Sequence, residues 1–365
     1  MENDTRNAII WATLRLQATH PFDPVTLEKV AGDVGISKTA IYHYFPSKEA
    51  LLQAVRVSLD KQGGTMWEHI LKTGLDPLEA FTSEMVARRE SLFIYANRFM
   101  GFDPSPLFLT APVFGLKGEK GEREEFAFRA GIFFLLAFDA IMKQNLTQEQ
   151  VPDFVADVRR WYEKGLGLDF SFDQALWDAS AVDPSSLEDD RILDALDRLF
   201  ASSGIRGVTM ERLSRETGMA QSSFYYRFKN KEELVSETGK RELARFLTLL
   251  DGRLAFAKDR VDALHIIFGT TSSYYFARPW LSRMFAVVAF PGVFLTSDVF
   301  SPFPHLSSWV GSLSEVKANA GELALFLPLL PPMRPTEQGW GRTACEAHAK
   351  RMLLRFVYGS DMEVS

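Results

Sequence analysis

Residues Val25 to Leu51, VTLEKVAGDVGISKTAIYHYFPSKEAL, return without a gap as VTMERLSRETGMAQSSFYYRFKNKEEL at Val208 to Leu234, an offset of 208 − 25 = 183 positions. Val25/Val208, Thr26/Thr209, Glu28/Glu211, Gly35/Gly218, Tyr42/Tyr225, Phe45/Phe228, Lys48/Lys231, Glu49/Glu232 and Leu51/Leu234 are identical between the copies. A repeat this long means that one structural unit occurs twice, which excludes any fold that uses each stretch once. The unit begins upstream, because Ile9, Ala12, Arg15, Leu16 and Ala18 recur at the same offset as Ile192, Ala195, Arg198, Leu199 and Ala201. Apolar residues at helical spacing, such as Ile192, Leu193, Leu196, Leu199 and Phe200, make this the first of three helices.

Thr26 and Thr209 are placed to cap the second helix, with Glu28 and Glu211 in its first turn, where the helix dipole favours negative charge. Gly35 and Gly218 supply the left-handed residue that ends it. Ser37 caps the next helix in copy one, and Ala220 gives copy two a weaker start. Ser47 and Asn230 cap the helix that follows. The short middle helix is expected to bury Ile41, Tyr42 and Phe45, or Phe224, Tyr225 and Phe228. It would then leave Lys38, Thr39, His43 and Tyr44, or Gln221, Ser222, Tyr226 and Arg227, outside. A short helix that presents polar residues outward and is braced across a glycine turn is a helix-turn-helix suited to a major groove.

Both copies resemble the DNA-binding region of the TetR family of bacterial transcription regulators, with its pattern T-x-x-x-(I/V/L)-A-x-x-x-G-(V/I/M)-S-x-x-x-(L/I/F)-Y-x-(Y/H)-F-x-x-K-x-x-L. Copy one follows it nearly throughout; copy two departs at Ser214, Ala220 and Arg227. The resemblance implies an all-α chain of two tandem TetR-like units, each a three-helix DNA-binding domain on a helical ligand-binding and dimerisation domain. The boundaries expected are 1–55 and 56–168 for unit one, a linker over 169–187, then 188–240 and 241–365 for unit two. Carried residue by residue, it implies DNA contacts from Thr26, Ser37, Lys38, Thr39, Ala40, Tyr42, His43, Tyr44 and Lys48 in copy one. In copy two these are Thr209, Gln221, Ser222, Ser223, Tyr225, Tyr226, Arg227 and Lys231.

The net charge of −6 argues against nucleic acid only if it is spread evenly. From Gly204 to Lys231, six basic residues, among them Arg212, Arg227 and Lys229, face Glu211 and Glu216, a local charge of +4. In the matching window of copy one, Lys29, Lys38 and Lys48 face Asp23, Glu28 and Asp33 and cancel. Copy two carries the stronger attraction for phosphate, and tethering raises the effective concentration of copy one.

Beyond the motifs the repeat fades into helical patterns with one echo, Phe108–Phe114 against Phe294–Phe300. In half one, Phe126, Ala130, Phe133, Phe134, Ala137 and Ile141 form one stripe, and Val151, Phe154, Val155, Val158, Trp161 and Tyr162 another. In the resembling family the last two long helices also build a four-helix bundle with a partner subunit. Asp183-Pro184-Ser185-Ser186 reads as linker, and the prolines from Pro291 to Pro335 cut half two ahead of a last helix striped by Cys345, Ala349, Met352, Leu353 and Phe356.

Enzyme chemistry is missing from the pattern. The six histidines are scattered, Gly118–Gly121 lacks the strand and helix of a phosphate loop, and a single cysteine excludes disulfide frameworks and cysteine metal sites. No cofactor is called for. The absence of an apolar leader and of a long apolar run points to a cytoplasmic chain without membrane association. The resemblance implies a small lipophilic or aromatic effector, for which Phe93, Arg98, Phe99, Phe108, Phe133, Tyr274, Trp280 and Phe294 are candidate contacts, with Arg278 a second possible receiver of an acidic headgroup. Two functional readings stay open: a ligand-responsive regulator, most naturally a repressor, of a double-stranded DNA operator, and a helical scaffold that kept the fold and lost DNA binding. Two assemblies also stay open, an internal pseudo-dimer of the two halves and a homodimer of the whole chain.

Overall fold

A computed structural model describes residues 2–19, 25–55, 57–58, 70, 74–87, 111–119, 122–187, 190–203, 208–278, 300–329 and 341–361. The regular elements among them are all helical, as the patterns predict. The first domain has α1 (Glu2–Thr19), α2 (Leu27–Val34), α3 (Lys38–Tyr44) and a helical stretch over 48–55, here α4. Half one continues with α5 (Pro77–Ala87), α6 (Arg123–Phe138) and α7 (Val151–Lys164). After α8 (Gln174–Ser180), the second copy is α9 (Arg191–Ser203), α10 (Met210–Thr217) and α11 (Gln221–Arg227). Half two is built from α12 (Lys231–Leu254), α13 (Arg260–Ala277), α14 (Pro304–Val316), α15 (Ala320–Phe326) and α16 (Arg342–Tyr358).

The two copies pack alike. Ile9 and Ile192, Ala12 and Ala195, Val30 and Leu213, Ile41 and Phe224, and Leu51 and Leu234 are all buried. The repeat also preserves an ion pair that ties the first helix to the second, Arg15 to Asp33 and Arg198 to Glu216. Ile9, Val30, Ile41 and Phe45 close a small core of their own, whereas the second copy's Leu196, Leu213 and Phe224 are continuous with the main core.

In half one α6 is wrapped on all sides. The expected stripe is buried, and so are Ala127, Phe128, Leu135, Leu136 and Phe138 on the opposite side, because the helix runs through the middle of the core. Phe133 lies among Phe81 (5.4 Å between centroids), Phe134 (5.3 Å), Phe114 (5.7 Å) and Phe154 (6.2 Å). The stripe on α7 is buried as its spacing predicts, with Phe154 partly covered. Pro304 opens α14 at a position where a missing N–H costs nothing, and the apolar stripe of α16 is buried in full. The sequence echo ends on Phe114 and Phe300, which are buried in both halves.

Residues 169–187, read as a linker, are folded onto half two instead. Phe170, Trp177 and Val182 are buried, and each is anchored. The Phe170 ring stacks on His265 at 4.9 Å, and the His265 Nε2 accepts the Asp173 N–H at 2.9 Å while Nδ1 faces the Val261 carbonyl at 2.8 Å. The Val182 N–H donates to Ser273 Oγ at 2.8 Å, and the Arg253 guanidinium donates to the Ala181 carbonyl at 3.1 Å. α8 approaches α13 where Gly269 leaves room for Ser180. The apolar residues of this segment follow no single period, which is why it reads as a break in the chain.

Half one also packs on the last helix of half two. Trp161 of α7 stacks on Phe356 of α16 at 5.5 Å and 21°. Glu124 accepts two hydrogen bonds from Arg351 at 2.6 and 2.7 Å, and Glu125 pairs with Arg355. His348 and Arg351 together hold the Glu124 carboxyl down at about 2. The helix ends meet backbone to backbone: the Leu166 N–H donates to the Phe356 carbonyl at 2.7 Å and the Gly167 N–H to the Val357 carbonyl at 2.9 Å. Lys317 adds a bond to the Gly165 carbonyl at 2.6 Å and lies 3.9 Å above the Trp161 ring.

Candidate nucleic-acid interface

The turn of each copy is fixed by local chemistry. Thr26 Oγ1 accepts the Lys29 N–H at 3.2 Å, and Thr209 Oγ1 accepts the Arg212 N–H at 3.2 Å, each satisfying one orphan amide of its helix. Gly35 (φ 76°) and Gly218 (φ 68°) end α2 and α10 in the left-handed conformation that glycine adopts without strain. Ser37 Oγ accepts the Ala40 N–H at 3.1 Å, whereas Ala220 offers α11 no side-chain cap. Ser47 caps residue 50 at 3.1 Å, and Asn230 Oδ1 caps Glu233 at 2.8 Å.

The two tyrosines of copy one exchange the roles their apolar character suggests. Tyr42 is 47% exposed and Tyr44 leans on the small core. At 100° per residue, Tyr42 lies 100° from Ile41, whereas Tyr44 lies 60° from it on the other side, close to the buried stripe. The same rotation puts Tyr225 outside in copy two, 54% exposed, beside Tyr226 at 92%. Phe224 is buried and Phe228 half-buried.

Lys38, Thr39, Tyr42 and His43 therefore share the outer surface of α3, and Gln221, Ser222, Tyr225, Tyr226 and Arg227 that of α11. Ala40, Lys48, Ser223 and Lys231 are half-buried at the edges of these faces, Thr209 is exposed, and Thr26 and Ser37 serve as caps. The arrangement offers amide, hydroxyl, phenol, imidazole and guanidinium groups, the side chains that read base edges and phosphates.

Two pairings in this region escape a count of charges. Lys38 is bonded to Glu28 across the turn, with both side chains exposed. Copy two has Gln221 in place of Lys38, and its Glu211 is bound by Arg215 of the same helix at 3.0 Å. That pair is neutral and already cancelled in the count, so copy two keeps its local charge of +4, while Lys38 of copy one is restrained by Glu28. The signal in the sequence is the substitution of Lys38 by Gln221 beside a retained glutamate.

Of the candidate effector contacts, Phe133 belongs to the phenylalanine core described above. Tyr274 is buried and donates to Glu242 Oε1 at 2.6 Å; burial first, and then this bond, push its phenol well above the ordinary value. Arg278 pairs with Asp194 at 2.7 Å. Phe93, Arg98, Phe99, Phe108, Trp280 and Phe294 lie outside the described residues. No group of acidic, histidine or cysteine side chains suited to a metal occurs among the described residues, and none of their helices is long and apolar enough to cross a membrane.

The sequence profile described as "Bacterial regulatory proteins, tetR family" matches residues 9–55 and 192–238, the two helix-turn-helix regions. An uncharacterized HTH-type transcriptional regulator of Haemophilus influenzae is 34% identical over 62 residues, covering 17% of this chain and 33% of the relative. The HTH-type transcriptional regulator EthR of Mycolicibacterium smegmatis is 33% identical over 98 residues, covering 26% of this chain and 42% of EthR. The chain thus spans less than half the length of the curated relatives it matches. With the profile and the geometry in agreement at both places, the chain carries two DNA-binding helix-turn-helix domains of the bacterial tetR family in tandem, one opening each half.

Proposed function

We propose that the protein is a cytoplasmic transcription repressor whose two halves close on one another within one chain and grip an operator of two unlike half-sites, to be released by a small effector. The observation that carries this reading is the pair of outward faces: Lys38, Thr39, Tyr42 and His43 against Gln221, Ser222, Tyr225, Tyr226 and Arg227, on one shared scaffold. Two identical faces read a palindrome; two different ones call for an operator without that symmetry. Internal closure is supported by the seam of α6 and α7 against α16, where Trp161, Phe356, Glu124 and Arg351 meet. On this reading the units divide at 1–55, 56–168, 188–240 and 241–365, and residues 169–187 become a packed connector.

Footprinting on the DNA upstream of the protein's own coding region tests the operator. The expected footprint is asymmetric; a minimal operator that is strictly palindromic would refute the unlike half-sites. Light scattering tests closure, since a particle near 41.2 kDa is expected and twice that mass at every dilution points to a homodimer of whole chains.

A further inference from the structure

A cavity of about 560 Å³ opens at the junction between the second DNA-binding domain and half two. Its walls are Arg241, Glu242, Arg245 and Leu249 of α12 with Tyr274 of α13 and Arg278 just past its end, and Leu187 of the connector closes one side. The volume falls within the range of small-molecule sites. The lining is mostly apolar, yet three guanidinium groups face one carboxylate, a charge of +2 on the walls.

Those guanidiniums also hold the DNA-binding domain in place. Arg241 reaches Asp190 Oδ2 at 2.6 Å, with Arg245 at 3.7 Å from the same oxygen, and Arg278 reaches Asp194 Oδ1 at 2.7 Å. Asp190 and Asp194 stand just before and within the first turn of α9, the first helix of that domain. The other oxygen of Asp190 caps α9 through the Ile192 and Leu193 N–H groups at 3.1 Å. Inside the cavity Glu242 is nearly buried and bonded to Tyr274, with Arg245 at 3.4 Å and Arg278 at 3.6 Å.

We propose that this cavity binds an amphipathic anion, a carboxylate on an apolar body, whose headgroup competes with Asp190 and Asp194 for Arg241, Arg245 and Arg278. The inference rests on the effector-responsive reading above and gives it a site, a ligand class and a mechanism. A carboxylate offers the same bidentate acceptor as the aspartates, so it takes the guanidiniums at their expense. The apolar body lies along Leu187, Leu249 and the Tyr274 ring. Because the ligand gains those contacts only where the arginines turn towards it, it favours the state in which α9 is released from α12. The second recognition helix then loses its fixed placement.

The test is calorimetric titration of the full chain, without DNA, with octanoate, decanoate and 4-phenylbutanoate, and with decan-1-ol as the uncharged control. Saturable one-site binding by at least one carboxylate with Kd below about 1 mM is expected, at least about tenfold tighter than the alcohol. Ala244→Trp, on the exposed rim of the cavity, and Arg245→Gln should each weaken binding about tenfold or more. Asp190→Asn, which keeps the capping oxygen and removes the competing charge, should tighten it by up to about fivefold. Absence of binding by all three carboxylates, or binding untouched by Ala244→Trp, would overturn the site. Equal affinity for decan-1-ol would overturn the ligand class, and an Asp190→Asn variant that binds no more tightly would overturn the competition. Operator binding is measured separately on the ligand-free protein, so loss of the DNA-binding reading and loss of the cavity are told apart.

Discussion

The meeting of α7 and α16 allows one substitution to weigh the seam between the halves. Gly359 (φ 72°, ψ −151°) lies in a region open to glycine and almost closed to other residues. A Cβ built there stands 2.2 Å from the Glu163 carbonyl oxygen and 2.7 Å from the Gly165 nitrogen, both backbone atoms that cannot turn aside. Gly359→Ala therefore costs about 1–3 kcal/mol in backbone strain. Forcing the strands of chain apart also breaks the Leu166–Phe356 and Gly167–Val357 hydrogen bonds at about 1 kcal/mol each, so the total is about 3–5 kcal/mol. Gly167 is the internal control: its φ is 72° as well, but nothing stands within 4 Å of its Cβ position, so Gly167→Ala carries about 1–2 kcal/mol of left-handed strain alone. Hydrogen exchange at the Leu166 and Gly167 amides reads the seam directly, and urea unfolding gives the energies. If Gly359→Ala lay within about 0.5 kcal/mol of Gly167→Ala, with both amides still protected, the close approach would not be holding the halves together.

Three further outcomes follow from the same geometry. Lys231→Ala should weaken operator binding evenly across sequences and lower the salt slope by about one, whereas Gln221→Ala should relax specificity at one position; titrations at several salt concentrations separate the two. Glu28→Gln should release Lys38 and strengthen the binding of copy one with a steeper salt dependence, and an unchanged slope in an electrophoretic shift series would show that the pair does not restrain it. Burial, with Arg160 and Lys164 nearby, lowers the Lys317 ammonium from 10.5 to about 8, so between those values the unfolded chain holds the extra proton and stability rises with pH; Lys317→Met should flatten that rise in denaturant melts taken from pH 8 to 10.5.

What could be read from the sequence follows the range of the interactions. Thr26, Ser37, Thr209 and Asn230 are legible as caps because each bonds three residues ahead, and the glycine turns because a left-handed residue has few substitutes. Aromatic character does not tell Tyr42 from Tyr44; the angle from Ile41 decides which one is buried. A period of 3.6 residues marks the apolar stripe of α6 but cannot say that the other side is covered too, since that depends on elements distant in sequence. The seam is less legible still: Glu124 and Arg351 are 227 positions apart, and each alone reads as a solvated charge. Arg278 and Asp194, 84 apart, could be joined only through the fold, so a residue first read as a receiver for a ligand emerges as one already holding the second domain.

The repeat itself argues for different demands on the two outward faces. Between copies the buried positions change little in kind: Ile9 and Ile192, Val30 and Leu213, Ile41 and Phe224 remain apolar, and the ion pair of Arg15 with Asp33 survives as Arg198 with Glu216. Packing holds such positions wherever a three-helix core must close. The exposed positions are not held: Lys38 is replaced by Gln221, Thr39 by Ser222 and His43 by Tyr226. In a homodimer one sequence must serve both half-sites, so a change that improves contact with one spoils the match to the other. Within a single chain each face meets only its own half-site and changes alone. On the proposed reading the protein binds its operator in one orientation, with the weakly charged copy and the more basic copy at fixed ends. A signal that frees only the second domain then leaves the first still placed by its own contacts, and rebinding becomes a one-domain event at the effective concentration set by the shared scaffold.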